Sequence, residues 1–192
     1  MSTVAAEIGT TPRLVEIPRR LCLVAEGAGG PHSEEFRSAM EAVYAVAFTL
    51  KMQMLLEGHD FELDPPGVIW SCPAAPFEAM PADGEGWSWK VICPVPDDID
   101  GQLVKLVKDS LVAKRHLDFA ADATIEEVDE GTCAEVVHVG PYDEVGQTLG
   151  RLHAFLIESH LRPAGAHHEI YLDEPRVTSP EHVRTLIRQP VA

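Results

Sequence analysis

The strongest constraint on the fold is an order of predicted elements, strand, helix, strand and strand, that occurs twice along the chain. The first set lies at residues 13–27, 33–58, 68–72 and 87–96. The second set begins with a strand pair or one bent strand and lies at residues 124–140, 141–160, 167–173 and 184–191. Antiparallel strands with helices on one face are typical of α+β domains. We therefore predict duplicated β-α-β-β units that form an antiparallel sheet, with a ligand cleft between the halves.

The helix of the first half has the clearest pattern. Ser33 is a suitable N-cap, and two acidic residues follow it in the first turn, near the positive end of the helix dipole. Apolar side chains then recur every three or four positions, at Phe36, Met40, Val43, Ala47, Leu50 and Met54. Gly58 is a plausible end for this amphipathic helix.

These elements predict a single domain over residues 12–192, preceded by a flexible tail at 1–11. Its first half is expected at about 12–96 and its second half at about 124–191. A connecting helix is predicted between them at about 97–115, with apolar residues at helical spacing: Leu103, Val107 and Leu111.

The charge of the chain excludes one class of partner. The formal net charge is −16, and a surface this acidic repels the phosphates of DNA and RNA. We therefore expect no nucleic-acid partner. Acidity commonly serves solubility, and attraction of cationic or electrophilic small molecules is the alternative.

Targeting signals and cysteine usage predict a cytoplasmic protein. The first twelve residues lack the basic start and apolar run of a signal peptide. The longest apolar segment, 39–56, is interrupted by polar residues and falls short of the ~18 apolar residues of a membrane helix, so no membrane partner is expected. The four cysteines show no C-x-x-C pair and are expected as buried, reduced thiols: Cys22, Cys72, Cys93 and Cys133. The oligomeric state stays open.

The segment HHEIYLD at 167–173 carries the residues most suggestive of chemistry. In a strand, successive side chains point to opposite faces, so Ile170 and Leu172 are predicted to enter a helix-covered core. The other face then carries polar and aromatic side chains: His167, Glu169, Tyr171 and Asp173. A carboxylate and a phenol on a face away from the core are expected to line a pocket.

Glu169 suits two roles in such a pocket. It is either a counter-charge for a cationic ligand or, if desolvated, a general base acting on water, with Tyr171 donating a hydrogen bond to a developing oxyanion. The structural alternative is that Glu169 pairs with Arg or Lys of a neighbouring strand and Tyr171 only packs. His167 and His168 adjoin Glu169 but lack a third ligand, so no metal is predicted. No phosphate-binding loop is present, and no cofactor is expected.

All three tryptophans lie on the two adjacent predicted strands of the first half. Trp70 belongs to the first of these strands, and Trp87 and Trp89 share a face of the second. They either fill the core or form an aromatic wall that binds cations and flat conjugated rings.

The segments HVGPYDEVGQTLGRLHAFLIESH and HHEIYLDEPRVTSPEHVRTLIRQPV resemble the GyrI-like small-molecule-binding family, whose members carry similar H-V-G-P-Y, H-E-I-Y-L and I-L-R-Q-P-V segments. The resemblance is specific over 124–191 and looser in the first half, at PPGVIW and WSWKV. There Ile69 stands where family members often have the first Trp of a double-Trp motif. The resemblance implies the duplicated β-α-β-β fold and a hydrophobic pocket between the halves with a carboxylate at its base.

The resemblance also implies a function. Family domains act as effector-binding parts of multidrug-responsive activators, as gyrase inhibitors or as free-standing binders. A similar free-standing subfamily, the cyclopropanoid cyclopropyl hydrolases, opens the cyclopropane of spirocyclic DNA-alkylating natural products within an aromatic cage. Carried over by position, Trp70, Glu169 and Tyr171 fall on family pocket residues, with Trp87 and Trp89 as neighbours. Of these, Glu169 and Tyr171 are expected to be catalytic. Ligand contacts would come from Trp70, Trp87, Trp89 and His167.

We therefore expect a hydrolase that detoxifies a hydrophobic, flat aromatic xenobiotic by adding water, and so confers antibiotic resistance. The alternative is a non-catalytic multidrug-binding protein that sequesters lipophilic or cationic aromatic compounds. A third hypothesis is a regulatory partner of a protein such as gyrase. The same residues serve the first two hypotheses.

Overall fold

The computed structural model describes residues 9–72, 85–115, 118–174 and 176–192. Its strands are β1 Arg13–Ile17, β2 Arg20–Ala28, β3 Gly67–Ser71, β4 Ser88–Pro94, β5 Thr124–Val128, β6 Gly131–Val139, β7 His167–Tyr171 and β8 Arg184–Pro190. Its α-helices are α1 Glu34–Leu56, α2 Gly101–Arg115 and α3 Val145–Glu158. Most of the predicted tail at 1–11 lies outside the described residues.

The chain divides into two compact units. The central unit is Arg20–Val128, and the terminal unit combines the chain up to Arg19 with the chain from Asp129 onward. The central unit contains β2, α1, β3 and β4 in that order, and the terminal unit contains β6, α3, β7 and β8. The predicted α+β fold with a duplicated β-α-β-β order is therefore confirmed.

In the central unit, the antiparallel strand order is β3-β4-β2-β5, and α1 packs on β2 and β4. The predicted cap is present, because the Phe36 amide donates to Ser33 Oγ at 3.2 Å. The face of α1 that meets the sheet is apolar and buried, with Phe36, Ala39, Val43, Val46, Ala47, Leu50 and Met54 among its residues. Gly58 follows the end of α1 with a φ of 88°, which a glycine adopts without strain.

Helix α1 also meets the length and composition criteria for a membrane span, alone among helices of the described residues. The core helix of a globular protein meets the same criteria. The buried face of α1 packs on β2 and β4 of its own unit, which is the arrangement of a core helix.

In the terminal unit, the antiparallel strand order is β7-β8-β6-β1, and α3 packs on β6. The buried residues of α3 are Thr148, Leu152 and Leu156, one helical turn apart. The helix is entered through a 3₁₀ turn at Tyr142–Glu144. This turn and α3 together account for the helix predicted at 141–160.

One short strand precedes each β-α-β-β set in the chain, and each of these two strands pairs with the other set. Strand β1 comes directly before β2 in the chain but pairs with β6, whereas β5 comes directly before β6 but pairs with β2. The predicted β-rich segment 13–27 is thus two strands that belong to different units. Pro18, which lacks an N–H group for a strand ladder, lies between them.

Candidate functional site

Glu169 lies on the face of its sheet that α3 covers. Its cross-strand partner is Ile187, which in turn pairs with Val136 on β6, and directly opposed residues point to the same face. His138, two residues further along β6, shares that face and contacts Thr148 of α3. The prediction that the Glu169 face points away from the helix-covered core is therefore wrong. Alternation along a strand separates two faces but does not identify the one that a helix covers.

The carboxylate of Glu169 is buried among side chains that donate hydrogen bonds. Only 1% of Glu169 is exposed. The Tyr142 hydroxyl donates to its two oxygens at 3.1 and 3.2 Å, and the Tyr171 hydroxyl donates to Oε2 at 3.4 Å. Nε2 of His167 lies 3.3 Å from Oε1. We call these four residues the Glu169 cluster.

Tyr142 is the member of the Glu169 cluster that sequence reasoning missed. It lies in the 3₁₀ turn before α3, outside any periodic pattern, although it belongs to the H-V-G-P-Y segment on which the family resemblance depends. Burial and the neighbouring Glu169 carboxylate raise the pKa of Tyr142 well above its usual range. The phenol therefore stays protonated near neutral pH and acts as a hydrogen-bond donor.

The opposite face of this sheet carries a buried ion network. Arg188 contacts Glu135 at 3.1 Å and Glu130 at 3.2 Å, and Glu130 Oε1 lies 2.9 Å from Nδ1 of His168. Arg13 reaches Glu135 at 2.8 Å. Strand β8, beside β7, carries two arginines, and both contact other carboxylates: Arg188 contacts Glu135 and Glu130, and Arg184 contacts Asp173 at 2.8 Å. This argues against the alternative that Glu169 pairs with an arginine of β8.

Burial and charge act in opposite directions within this network. Burial lowers the pKa of His168, and the Glu130 carboxylate offsets that effect only in part. Burial alone would raise the pKa of Glu130, but the hydrogen bond from His168 and the charge of Arg188 outweigh it and lower the pKa.

The three tryptophans form an aromatic cluster within the central unit. Trp70 and Trp89 are cross-strand partners on the face that α1 covers, and their ring centroids lie 4.8 and 5.7 Å from that of Phe36. The Trp87 ring lies edge-on to Trp70 at 5.3 Å. We call the rings of the three tryptophans and Phe36 the aromatic cluster.

Two members of the aromatic cluster carry buried donors. Within the described residues, the indole nitrogens of Trp87 and Trp89 have no hydrogen-bond partner. Trp89 is 3% exposed and lies over Gly27, whereas Trp87 is half-buried. Ile69 points to the other face of the sheet, where it packs against Cys22, Val24 and Ile92.

The structure thus brings the predicted site residues together in two groups, each inside one unit. Glu169, Tyr171 and His167 meet in the terminal unit, and the three tryptophans meet in the central unit. Across the part of the chain that the structure describes, no group of three or more His, Cys, Asp and Glu side chains is placed to hold a metal ion. Whether the predicted residues contact a ligand stays a prediction.

Comparisons with known proteins agree with this fold. A family model described as a GyrI-like small molecule binding domain matches residues 104–192. The solved structure of an uncharacterized conserved protein from Listeria innocua is 30% identical, with a TM-score of 0.86, and the match covers 97% of this chain and 94% of that chain. The structure of a hydrolase from Listeria innocua is 28% identical, with a TM-score of 0.83 and the same coverage.

A more distant structure, the C-terminal domain of EcmrR, shares the fold at 13% identity and a TM-score of 0.62, over 95% of this chain and 97% of that chain. No curated protein matched the sequence.

Proposed function

Because this chain belongs to the GyrI-like small-molecule-binding family, we propose that it is a hydrolase that adds water to the cyclopropane of a spirocyclic, DNA-alkylating aromatic compound and so confers resistance to it. The similarity to a hydrolase from Listeria innocua, which is 28% identical to this chain, supports the proposal that the reaction is a hydrolysis. The observation that carries the proposal is the Glu169 carboxylate, which is 1% exposed and contacted by two phenols and an imidazole.

The reaction needs few protein groups. The oxygen of water forms a bond to a cyclopropane carbon, and the strained bond from that carbon to the spiro centre breaks. The electron pair of the broken bond moves into the conjugated dienone, which becomes a phenolate. One proton leaves the attacking water and one proton ends on the phenolate oxygen, so the product is the substrate plus one water.

Glu169 is the proposed base. Its carboxylate orients the attacking water and takes a proton from it as the carbon–oxygen bond forms. Tyr171 and Tyr142 are the proposed donors to the oxygen on which negative charge develops. Both phenols donate to Glu169 in the structure, at 3.1 to 3.4 Å, so this role requires one of them to turn to the substrate.

The aromatic cluster is the proposed contact for the flat ring system. Each indole face contributes roughly 0.5–1.5 kcal/mol of stacking energy beyond its area burial. Trp70, Trp87 and Trp89 are therefore proposed as ligand-binding residues, and His167 as a ligand contact beside the carboxylate. Holding the substrate in a reactive geometry supplies much of the rate.

The test is turnover of a spirocyclopropyl cyclohexadienone, followed by mass spectrometry for the product with one added water. We expect multiple turnovers with the wild type and a fall in kcat of about a hundredfold or more for Glu169→Gln. Glu158→Gln, which neutralises an exposed carboxylate on α3, is the matched control and should keep the activity. Tight binding of an unchanged compound by the wild type would contradict the proposal.

The second candidate is a binding protein that sequesters lipophilic cations without turnover. The same buried carboxylate would be the counter-charge of the ligand, and the net charge of −16 would attract it. In that case Glu169→Gln weakens binding of a cationic aromatic dye. Neither the wild type nor the variant then converts the cyclopropane compound.

A further inference from the structure

His138 joins a strand, a turn and a helix at the point where the chain turns toward Tyr142. The imidazole is 3% exposed, with Nδ1 2.9 Å from Thr148 Oγ1 and Nε2 3.0 Å from the Pro141 carbonyl oxygen. A carbonyl only accepts, so Nε2 carries a proton, and in the tautomer with that single ring proton Nδ1 is the acceptor. The Thr148 hydroxyl therefore donates to Nδ1, while its oxygen accepts from Arg151 Nη2 at 2.9 Å.

The turn itself is fixed from several sides. The Pro141 carbonyl, already bonded to the imidazole, also accepts from the Glu144 amide at 2.9 Å, which closes the 3₁₀ turn. The Gly140 amide donates to the Val183 carbonyl at 2.9 Å, and its φ of 130° favours glycine at that position. Tyr142 is the next residue after the proline, so the position of its ring follows the position of this turn.

The contact that depends on this turn is sensitive to small displacements. The Tyr142 hydroxyl lies 3.1 and 3.2 Å from the two Glu169 oxygens, midway between them. A strong bond from a hydroxyl to a carboxylate is about 2.5–2.7 Å long. A movement of a few tenths of an ångström therefore decides which of the two oxygens the phenol bonds and how strongly.

We propose that His138 and Thr148 are positioning residues: Thr148 orients the imidazole, the imidazole donates to the Pro141 carbonyl, and this turn places the Tyr142 hydroxyl on the Glu169 carboxylate. The role in catalysis rests on the hydrolysis proposed above. The rival account is that these two residues only stabilise the junction of β6 and α3. The two accounts differ in what a change at Thr148 does once the Tyr142 hydroxyl is absent.

A double-mutant cycle separates them. Thr148→Val keeps the shape of the side chain but removes the donor to the imidazole, and we expect kcat to fall about ten- to a hundredfold with KM nearly unchanged. Thr148→Ser restores the hydroxyl and is expected to restore kcat. In a Tyr142→Phe background, Thr148→Val is expected to cost almost nothing further. An equal loss in both backgrounds would overturn the positioning role.

The matched control is Thr49→Val, which removes a threonine hydroxyl that bonds the Ala45 carbonyl within α1 of the other unit. It is expected to leave kcat unchanged. If Thr148→Val does not fold, His138→Gln serves in the same cycle, since its carboxamide keeps a donor within reach of the Pro141 carbonyl and loses the threonine contact.

A measurement without substrate separates failure of this inference from failure of the proposed function. The chain has three tyrosines, so 3-fluorotyrosine labelling gives three fluorine resonances, and Tyr142→Phe identifies one of them. We expect Thr148→Val to shift that resonance and Thr148→Ser to return it. If the shift occurs but no cyclopropane is turned over, the proposed reaction is wrong and the positioning role stands. An unmoved resonance overturns the positioning role whatever the turnover.

Discussion

At Glu169, burial and charge oppose each other. An ionised carboxylate loses its hydration on burial, and that loss is large unless hydrogen bonds replace the water. Here two phenols and an imidazole provide the replacement at 3.1 to 3.4 Å, distances longer than those of strong charged hydrogen bonds. The proposed role of Glu169 as a general base requires one of these hydrogen bonds to give way to the attacking water.

At Gly27, the absence of a side chain makes room for an indole. A Cβ at this position would lie 2.3 to 2.9 Å from three atoms of the Trp89 ring. Gly27→Ala must therefore displace that ring, and we expect a loss of about 1–3 kcal/mol of unfolding free energy together with a changed near-ultraviolet circular dichroism of tryptophan. Urea denaturation and the spectrum measure the two effects.

The matched control is Gly150→Ala in α3, where an added Cβ meets open space. Alanine is a better helix former than glycine, so this variant is expected to gain up to about 1 kcal/mol with an unchanged spectrum. A Gly27→Ala protein as stable as the wild type, with the wild-type spectrum, would show that the indole is not held against β2.

The sequence predicted the chemical types in the Glu169 cluster but not all of its members. Alternation along 167–173 was enough to group His167, Glu169 and Tyr171. Tyr142 comes from a turn, and its contact with Glu169 depends on tertiary packing that no local pattern encodes. The same limit applies to Phe36, which periodicity assigned to the core without indicating that it contacts two tryptophans.

At the level of elements, Ser33 is the clearest case in which a local signal determines a boundary. Its hydroxyl oxygen accepts from the Phe36 amide at the start of α1. Ser33→Ala removes this cap and is expected to lower the unfolding free energy by about 1 kcal/mol, measured by thermal unfolding. Ser38→Ala, inside the same helix, is the control and should be neutral or slightly stabilising. Equal effects of the two variants would contradict the cap.

A single sequence predicted the positions of the strands better than their pairing. Periodicity located most of the strands, because each contains alternating or apolar side chains. It did not show that β1 and β5 pair outside their own repeats, since register and partner depend on the whole sheet. It also placed Glu169 on the sheet face away from the covering helix, which is wrong. The alternation of a strand carries no information on which face a helix from elsewhere in the chain will cover.

At the scale of the whole molecule, two opposing effects make stability depend on pH. The net charge of −16 produces self-repulsion, which weakens as the pH falls toward the isoelectric point of about 4.8. This effect favours the folded state on acidification, and added salt screens it. The buried ion network of the terminal unit acts in the other direction, and its contribution depends on His168.

The sign of the His168 contribution follows from its surroundings. Burial lowers the pKa of His168 in the folded state below the ordinary value of 6.5, so the unfolded chain binds a proton first as the pH falls. The contribution is therefore complete above about pH 6.5 and is lost progressively below it. The pKa of Glu130 is also lowered, and its contribution to stability is lost only below the ordinary glutamate value of 4.5.

Between about pH 6.5 and pH 4.5, the pH dependence that this network adds to stability therefore comes mainly from His168. A variant at His168 isolates that contribution. We expect urea unfolding in high salt to show the wild type losing stability from pH 7 to pH 5, by at most about 1.4 kcal/mol per pH unit. His168→Asn keeps a donor near Glu130 and removes the titrating ring, so its profile over this range should be flatter. His32→Gln, which removes an exposed imidazole, should follow the wild type. A His168→Asn profile as steep as that of the wild type would place the pH dependence outside this network.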